Sequence, residues 1–267
     1  MKFYKKKLSS GITIIMEKRE LSVVALSITN KFGAAYEESK IKGIAHVIEH
    51  LVFTGTKTRT HEDISREIEK KGGILNAFTS HEVTSFWFKL PSEHIFSGLD
   101  ILTDMLNNTL FRPDKFEKEK KVILEEIKMY HDNPRFSVME QIEKNLYVSP
   151  FGDLVIGSKE TVSVLKREFV ANYFKKMYNP SNYIVTIVGN ADFRKVCNYL
   201  EKKLSSTNYF HKIVPIKKIN KETVEERPGV DQAHFAFAIH APLSTDPDYH
   251  VLEVLDAYLA NGMSSRL

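Results

Sequence analysis

The sequence predicts an α+β fold in which an antiparallel-rich mixed sheet packs against helices. Strand-like segments form one group near the start of the chain, helical segments form a second group, and a single strand–helix unit follows them. This grouping differs from the regular strand–helix alternation of a doubly wound parallel sheet. Hydrophobic residues make up 42% of the 267-residue chain, which is enough for a substantial core.

Several segments have strand character. KFYKKKL and ITIIMEK flank Ser9-Ser10-Gly11 and predict a hairpin, and SVVALSITNKFG predicts a third strand. ILNAFTSHEVTSFWFKL is rich in β-branched and aromatic residues, and it predicts a strand or a hairpin that ends at Pro91. Farther along, SNYIVTIVGN has the composition of a buried strand, which returns the chain to the sheet.

Apolar spacing and terminal signals predict the helices. KGIAHVIEHLVFTGT carries an apolar stripe formed by Ile44, Val47, Ile48 and Leu51. In the next helix, Thr60 and Asp63 resemble a capping box before DISREIEKK, and Gly72-Gly73 ends the helix. Further single helices are predicted at SEHIFSGLDILTDMLNN, PDKFEKEKKVILEEIKMYHD, SVMEQIEKNLY, SKETVSVLKREFVANYFKKMY and ADFRKVCNYLEKKL. Pro113 lies near the first turn of the helix predicted at PDKFEKEKKVILEEIKMYHD.

The composition also predicts how the chain divides into domains. Residues 1–207 are expected to form one α+β domain, and the polar, aperiodic residues 208–230 are expected to form a linker. From residue 231, strand-like QAHFAFAIHAPL and helical DPDYHVLEVLDAYLANG indicate the beginning of a second domain. Because about 35 residues cannot bury an independent core, we expect a fragment or a chain completed by a partner.

Charge and cysteine content exclude several classes of protein. The formal net charge is only +4, with basic residues spread along the chain, which argues against a dedicated nucleic-acid binder. The single cysteine, Cys197, excludes an internal disulfide framework and a zinc site built from several thiolates. No stretch approaches the roughly 20 apolar residues of a membrane span, and ITIIM is too short for a signal-peptide core. We therefore expect a cytoplasmic protein.

HVIEH, at residues 46–50, places two histidines four positions apart in a predicted helix. Residues i and i+4 share a helix face, so His46 and His50 can direct two imidazoles at one metal ion. Catalytic zinc needs three protein ligands and an open position for water, whose pKa it lowers to roughly 7. Glu49 lies near the same face and suits a general base for that water. H-x-x-E-H is the inverted form of the H-E-x-x-H zinc motif.

A third ligand is expected from the helix EKEKKVILEEIKMY, which offers Glu117, Glu119, Glu125 and Glu126. Glu119 and Glu126 are seven residues apart and share a face, whereas Glu125 points about 100° away. Acidic side chains on the buried side of a helix are costly unless a positive group meets them. We therefore favour Glu126 as the ligand and Glu119 as a supporting neighbour, with a solvated acidic face as the alternative.

HVIEHLVFTGT, KKGGILNAFTSHEVTSFWFKLP and KEKKVILEEIKMYHDNP, in this order, resemble the pitrilysin (insulinase-type) family of zinc metallopeptidases, in particular its processing-peptidase branch. FGDLVIGSKETV, YNPSNYIVTIVGN and DPDYHVLEVLDAYLANGMSSRL resemble the same branch. The resemblance implies one Zn²⁺ per catalytic domain, bound by His46, His50 and Glu126, with Glu49 as general base and Glu119 supporting the site. It also implies one half of a two-domain unit, followed by the start of the second half.

The resemblance further implies a strand that binds substrate. In this family the strand that matches Asn76, Ala77, Phe78 and Thr79 lies at the sheet edge beside the zinc, and a peptide pairs with it as an added strand. Such main-chain pairing suits a peptidase for extended substrates. A plain core strand is the alternative, because the aromatic residues here also need burial. The family's second half supplies an Arg and a Tyr that bind substrate, and neither can be placed on this sequence.

The sequence therefore predicts a zinc endopeptidase for extended or unfolded peptides, acting as a homodimer or as a heterodimer with a similar subunit. Two alternatives stay open. One is a zinc-binding but inactive assembly or peptide-binding subunit that needs a partner chain or a C-terminal half; relatives of that kind usually lose the H-x-x-E-H residues, which this chain keeps. The other is a structural zinc domain, whose fourth coordination position would be closed.

Overall fold

The computed structural model describes residues 2–205, 214–229 and 231–266. The strands are β1 (Lys2–Lys7), β2 (Thr13–Lys18), β3 (Val23–Asn30), β4 (Ile74–Thr79), β5 (Thr84–Pro91) and β6 (Tyr183–Gly189). The helices are α1 (Ile44–Val52), α2 (His61–Glu69), α3 (Ile95–Asn108), α4 (Pro113–Asp132), α5 (Pro134–Leu146), α6 (Lys159–Ser163), α7 (Arg167–Met177), α8 (Phe193–Lys203) and α9 (Tyr249–Ala260). No helix in the described ranges is both long and apolar enough to span a membrane.

All of these strands join one sheet in the order β1-β2-β6-β3-β5-β4. β2 and β6 run parallel, and the other neighbouring pairs are antiparallel. The prediction of an antiparallel-rich mixed sheet packed against helices is therefore confirmed. β6 comes from far along the chain and lies between β2 and β3, so β1 and β4 form the two edges.

One face of the sheet is covered by helices. Inward side chains alternate along the strands, as Leu26 and Ile28 do in β3, and they are almost fully buried. Both α1 and α2 contact β4, and α3 contacts β5. The predicted apolar stripe of α1 is buried throughout its length, which fixes the rotation of the helix about its axis. His46, Glu49 and His50 lie outside this stripe and are half-buried.

Local signals predicted several element boundaries correctly. The capping box between Thr60 and Asp63 starts α2, and Pro113 is the first residue of α4. The segment expected to form a strand or hairpin before Pro91 forms β4 and β5. Gly43, the N-cap of α1, has a φ of 92°, and a Cβ there would lie 2.5 Å from the carbonyl oxygen of Ile156. The chain therefore enters α1 through a position that favours glycine.

The prediction of one helix for SKETVSVLKREFVANYFKKMY is wrong, because this segment forms α6 and α7. Lys166, between them, has extended backbone angles (φ −104°, ψ 140°). Leu165 at the break is only 4% exposed. The interruption turns Leu165 into the core, and burial of this large apolar side chain outweighs the helical hydrogen bonds that a continuous helix would add.

The prediction of a strand at QAHFAFAIHAPL is also wrong, although α9 forms as expected. A strand needs backbone partners beside it. The sheet formed by the described residues offers none to residues 231–243. Consistent with this isolation, α9 has no buried residue within the described parts of the chain.

The predicted division into residues 1–207, 208–230 and 231–267 stays a prediction. Residues 208–213 and 230 of the expected linker, and residue 267, lie outside the described residues. The described part of the linker is hydrogen-bonded to the end of α5. The amide of Val148 donates to the carbonyl of Lys217 at 3.2 Å, and the amide of Ile219 donates to that of Leu146 at 2.8 Å.

Candidate metal centre and active site

The two histidines of HVIEH lie one turn apart on α1. Their ring centroids are 4.7 Å apart, as expected for an i, i+4 pair on one helix face. The opposite side of α1 is packed in the core, which holds both rings toward α4, the helix that contacts α1 from across the site. The spacing in the sequence therefore becomes a pair of adjacent imidazoles.

Glu126 on α4 completes a group of three potential ligands. Its Oε2 lies 3.7 Å from Nε2 of His50. The ligand atoms of His46, His50 and Glu126 all lie within 4.8 Å of one another. Atoms that share one Zn²⁺ ion at about 2 Å each lie no more than about 4 Å apart, and the distance between His50 and Glu126 is within this limit. Among the acids of α4, Glu117 and Glu125 are exposed and do not join this group.

The state of His46 fits a metal ligand. Its Nδ1 is buried and has no hydrogen-bond partner among the described residues. Burial, and secondarily the charge of His50, lower the pKa of His46 to about 4. The ring is therefore neutral near pH 7 and keeps a lone pair for a metal ion. An unpaired buried nitrogen is costly unless a partner binds it, so the donor set fits zinc.

Glu119 contacts the far side of one histidine. Its Oε2 lies 3.3 Å from Nδ1 of His50. A carboxylate accepts from an N–H, so this contact favours the tautomer with the proton on Nδ1. Nε2 of His50, which faces Glu126, then keeps its lone pair. Such a carboxylate–histidine pair orients the ligand ring and makes it a better donor.

Glu49 lies between the metal site and the edge strand β4. Thr79 donates a short hydrogen bond from Oγ1 to Oε2 of Glu49. Burial raises the pKa of Glu49 above its ordinary value, and the bond from Thr79 and the charge of His50 partly oppose that rise. A carboxylate with a raised pKa accepts a proton more readily near neutral pH, which is what general-base chemistry needs.

The predicted substrate strand is the edge strand β4, and its two faces differ. Leu75, Ala77 and Thr79 are half-buried on the helix side. On the other side Ile74 is 58% and Phe78 is 49% exposed. This exposure contradicts the alternative of a plain core strand for β4. The aromatic residues of β5, in contrast, are buried or half-buried, as the alternative expects.

The outer edge of β4 has no neighbouring strand among the described residues. Ser80 donates its amide to the carbonyl of Val83 at 2.8 Å, which makes that pair hydrogen-bonded. Because hydrogen-bonded and non-hydrogen-bonded pairs alternate in an antiparallel ladder, Leu75, Ala77 and Thr79 turn their N–H and C=O groups outward. The amide of Ala77 donates to Oδ1 of the neighbouring Asn76 side chain at 2.8 Å.

Sequence reasoning missed Glu37, which holds the start of α1. This carboxylate is 6% exposed and accepts from the amides of Gly43 at 2.8 Å and Ala45 at 2.7 Å. Burial raises the pKa of Glu37 to about 7, although the two amides and Lys42 oppose the rise. Glu37 precedes α1 by a loop rather than by a capping-box spacing, so no local signal indicates this contact.

Comparison with known proteins places these features in a family. Residues 13–157 match the family model described as insulinase (peptidase family M16), and this stretch contains all of the predicted site residues. Residues 165–267 match the family model described as peptidase M16 inactive domain. The predicted resemblance is confirmed by both matches.

Individual relatives agree with the family models. An uncharacterised zinc protease of Rickettsia felis is 31% identical over 98% of this chain and 64% of its own length. The mitochondrial-processing peptidase subunit beta of Dictyostelium discoideum is 28% identical over 95% of this chain and 56% of its own length. The chain thus spans less than two thirds of either relative. A Helicobacter pylori protease structure, 24% identical, covers 100% of this chain and 67% of its own, with a TM-score of 0.83, and shows the shared fold.

Proposed function

This chain belongs to the insulinase family of peptidases, family M16, and from that premise we propose that it is a zinc-dependent endopeptidase, or the metal-binding half of one, that hydrolyses extended or unfolded peptides. The observation that carries the proposal is the convergence of His46, His50 and Glu126 beside Glu49. Glu49 lies next to the edge strand β4, since Thr79 of that strand donates a hydrogen bond to it.

His46, His50 and Glu126 would hold the zinc ion. When bound, Zn²⁺ supplies a Lewis acid that polarises the substrate carbonyl and lowers the pKa of a water molecule. Glu119 keeps the proton of His50 on Nδ1, which preserves the lone pair on Nε2.

The edge strand would position the peptide. An extended substrate can pair with the outward N–H and C=O groups of Leu75, Ala77 and Thr79. The Asn76 side chain has to leave the Ala77 amide when this happens, because it occupies that donor. Main-chain pairing is largely independent of side chains, so it suits unfolded segments of varied sequence.

Glu49 would move the proton. It accepts the proton of the attacking water and then donates it to the nitrogen of the leaving amine, so that the carboxylate is regenerated. Thr79 fixes one oxygen of Glu49 and leaves the other for this exchange. No covalent bond between enzyme and substrate is needed.

The first experiment measures the zinc content of the purified chain together with cleavage of a quenched peptide, with and without a chelator. Stoichiometric zinc and cleavage that the chelator abolishes are the expected results. Cleavage that persists after complete removal of metal would contradict the proposal, as would the absence of zinc from a folded chain supplied with it.

A second candidate is a zinc-binding but inactive subunit of a peptidase assembly. Two observations favour it: residues 165–267 match the inactive-domain model, and a relative is named as a subunit. In addition, Phe235 and Phe237 are 87% and 76% exposed, which suits contact with a similar subunit. Stoichiometric zinc without cleavage, reversed by adding a partner chain, would favour this candidate.

A further inference from the structure

A cavity of about 370 Å³ opens beside the proposed base. Glu49 and His50 line it, together with the half-buried apolar side chains of Phe53 and Leu75. Leu75 and Asn76 of β4 border the cavity, so a peptide paired with β4 would pass its mouth. A substrate side chain close to the cleaved bond can therefore enter it. We name it the Lys115 cavity.

Two lysines of α4, Lys115 and Lys118, line the Lys115 cavity. Neither has an ion-pair partner within residues 2–205, 214–229 and 231–266. Lys42 and Lys203, in contrast, each pair with an aspartate, at 3.1 and 3.4 Å respectively. Glu49 and Glu119 also line the cavity, but Glu119 contacts His50 and Glu49 accepts from Thr79, so neither acid forms an ion pair with these lysines.

The metal site explains why Lys115 lacks a partner. Glu119 follows Lys115 by four residues, the spacing at which opposite charges pair along a helix. The Glu119 carboxylate instead contacts Nδ1 of His50 at 3.3 Å. Recruitment of this acid by the histidine leaves the positive charge of Lys115 available to a substrate.

The His61 side chain, which also lines the Lys115 cavity, is a further polar group there. Nδ1 of His61 lies 3.0 Å from the carbonyl oxygen of Phe53, and because a carbonyl only accepts, Nδ1 carries the proton. Nε2 of His61 is left for another contact. A second cavity of about 320 Å³ shares His61 and Lys115 with the first, and its lining carries both basic (Lys57, Arg112) and acidic (Glu62, Asp63) side chains.

We propose that the Lys115 cavity selects an acidic side chain of the peptide, glutamate in particular, next to the cleaved bond. This inference rests on the proposed peptidase function. The methylene groups of a glutamate can pack on Phe53 and Leu75 while its carboxylate meets Lys115 and Lys118. A lysine in the same position would meet two like charges.

Binding tests the inference without relying on turnover. Fluorescent peptides that differ only in having Glu, Gln or Lys at one position, scanned along the peptide, are titrated into the zinc-loaded Glu49→Gln chain. At one position we expect the Glu peptide to bind roughly tenfold more tightly than the Lys peptide, with Gln between them. The preference should weaken as salt is added.

Charge reversal provides the matched comparison. Lys115→Glu with Lys118→Glu, in the same Glu49→Gln background, should reverse the order of the peptides. Lys5→Glu with Lys7→Glu makes the same charge change on β1, at the far edge of the sheet, and should leave the order unchanged. A thermal melt of each variant verifies that it is folded.

The outcomes separate this inference from the proposed function. Equal binding of the three peptides at every position, or an order that survives the reversal at Lys115 and Lys118, overturns the acidic preference even if the wild-type chain cleaves peptides. If Glu49→Gln binds the Glu peptide selectively but the wild-type chain never cleaves a peptide, the acidic preference is supported and the proposed peptidase function is contradicted. Failure to bind any of the peptides overturns both.

Discussion

The two edges of the sheet have the same backbone chemistry and opposite side chains. β1 reads KFYKKK, with lysine at four of six positions, whereas β4 reads ILNAFT and carries no charge. Both edges leave every second N–H and C=O without a neighbouring strand. Lysines on an edge oppose the addition of another strand, because an incoming strand must desolvate or displace them. Side chains, rather than free hydrogen bonds, therefore distinguish the edge that we propose to accept a peptide from the opposite edge.

The surroundings of the edges differ in the same sense. β4 contacts α1, and its Thr79 reaches the proposed base. β1 packs toward α8 through the stacked rings of Tyr4 and Phe193, whose centroids are 5.2 Å apart. The uncharged edge therefore lies beside the candidate metal centre, and the lysine-rich edge lies beside an ordinary helix contact.

The largest expected effect comes from the acid beside β4. Glu49→Gln should lower kcat for peptide cleavage by about 10²- to 10⁴-fold, because the proton acceptor is lost while the shape is kept. Zinc content should not change, since Glu49 is not a proposed ligand. Glu20→Gln, an exposed acid near the β1 side, is the control and should retain full activity. Undiminished cleavage by Glu49→Gln would remove Glu49 from the mechanism.

Loss of a ligand should affect the metal next most strongly. Glu119→Gln should weaken zinc affinity by about 10- to 100-fold, because Glu119 only orients a ligand. Glu126→Gln should weaken zinc affinity by more than this, because Glu126 is itself a proposed ligand. Glu125→Gln, on the exposed face of α4, is the matched control. Competition with a chromogenic chelator gives the affinities. If Glu126→Gln keeps normal zinc affinity and either Glu119→Gln or Glu125→Gln loses it, the third ligand is the residue whose substitution lowers the affinity.

The edges themselves can be compared by removing one outward N–H from each. Ala77→Pro removes such a donor from β4, and Lys5→Pro removes the equivalent donor from β1, since the Leu8–Ile12 pair sets the same alternation there. We expect Ala77→Pro to lower kcat/KM roughly tenfold, from one lost hydrogen bond and a displaced peptide. Lys5→Pro should have no effect on kcat/KM. Equal losses in two variants of similar melting temperature would refute a special role for β4.

The smallest effect concerns the helix caps near the two edges. Glu37 is buried against α1, and burial raises its pKa to about 7. Asp192 caps α8 by accepting from the Lys195 amide at 3.0 Å, and this bond lowers the pKa of Asp192. A raised pKa means that the folded chain binds the Glu37 proton more tightly than the unfolded chain, so this contribution to stability is lost as pH rises from about 5 toward 7.

For the metal-free chain, the melting temperature of Glu37→Gln relative to that of the wild type should therefore rise between about pH 5 and 7, because the variant lacks the contribution that the wild type loses over this range. Asp192→Asn should lower the melting temperature at neutral pH and have less effect in acid, where the carboxyl is already protonated. Thermal melts across pH measure both. A difference in melting temperature between Glu37→Gln and the wild type that stays constant through this range would contradict the raised pKa of Glu37.

Secondary structure was predictable wherever the signal was local. The capping box of Thr60 and Asp63 and the proline at the start of α4 both depend on neighbours within one turn. The predictions failed where distant packing decided the outcome. Leu165 breaks a helix to reach the core, and residues 231–243 lack a neighbouring strand among the described residues. The contact of Glu37 with α1 had no local signal at all.

The sequence by itself determined that His46, Glu49 and His50 share one region of a helix surface, because the 3.6-residue period is a property of the local backbone. Only the tertiary structure decided that α4 lies against α1 and brings Glu126 within 3.7 Å of His50. It also decided that β6 enters the middle of the sheet and leaves β4 at an edge. Periodicity specifies which side chains share a face, but which faces meet depends on burying apolar surface across the whole chain.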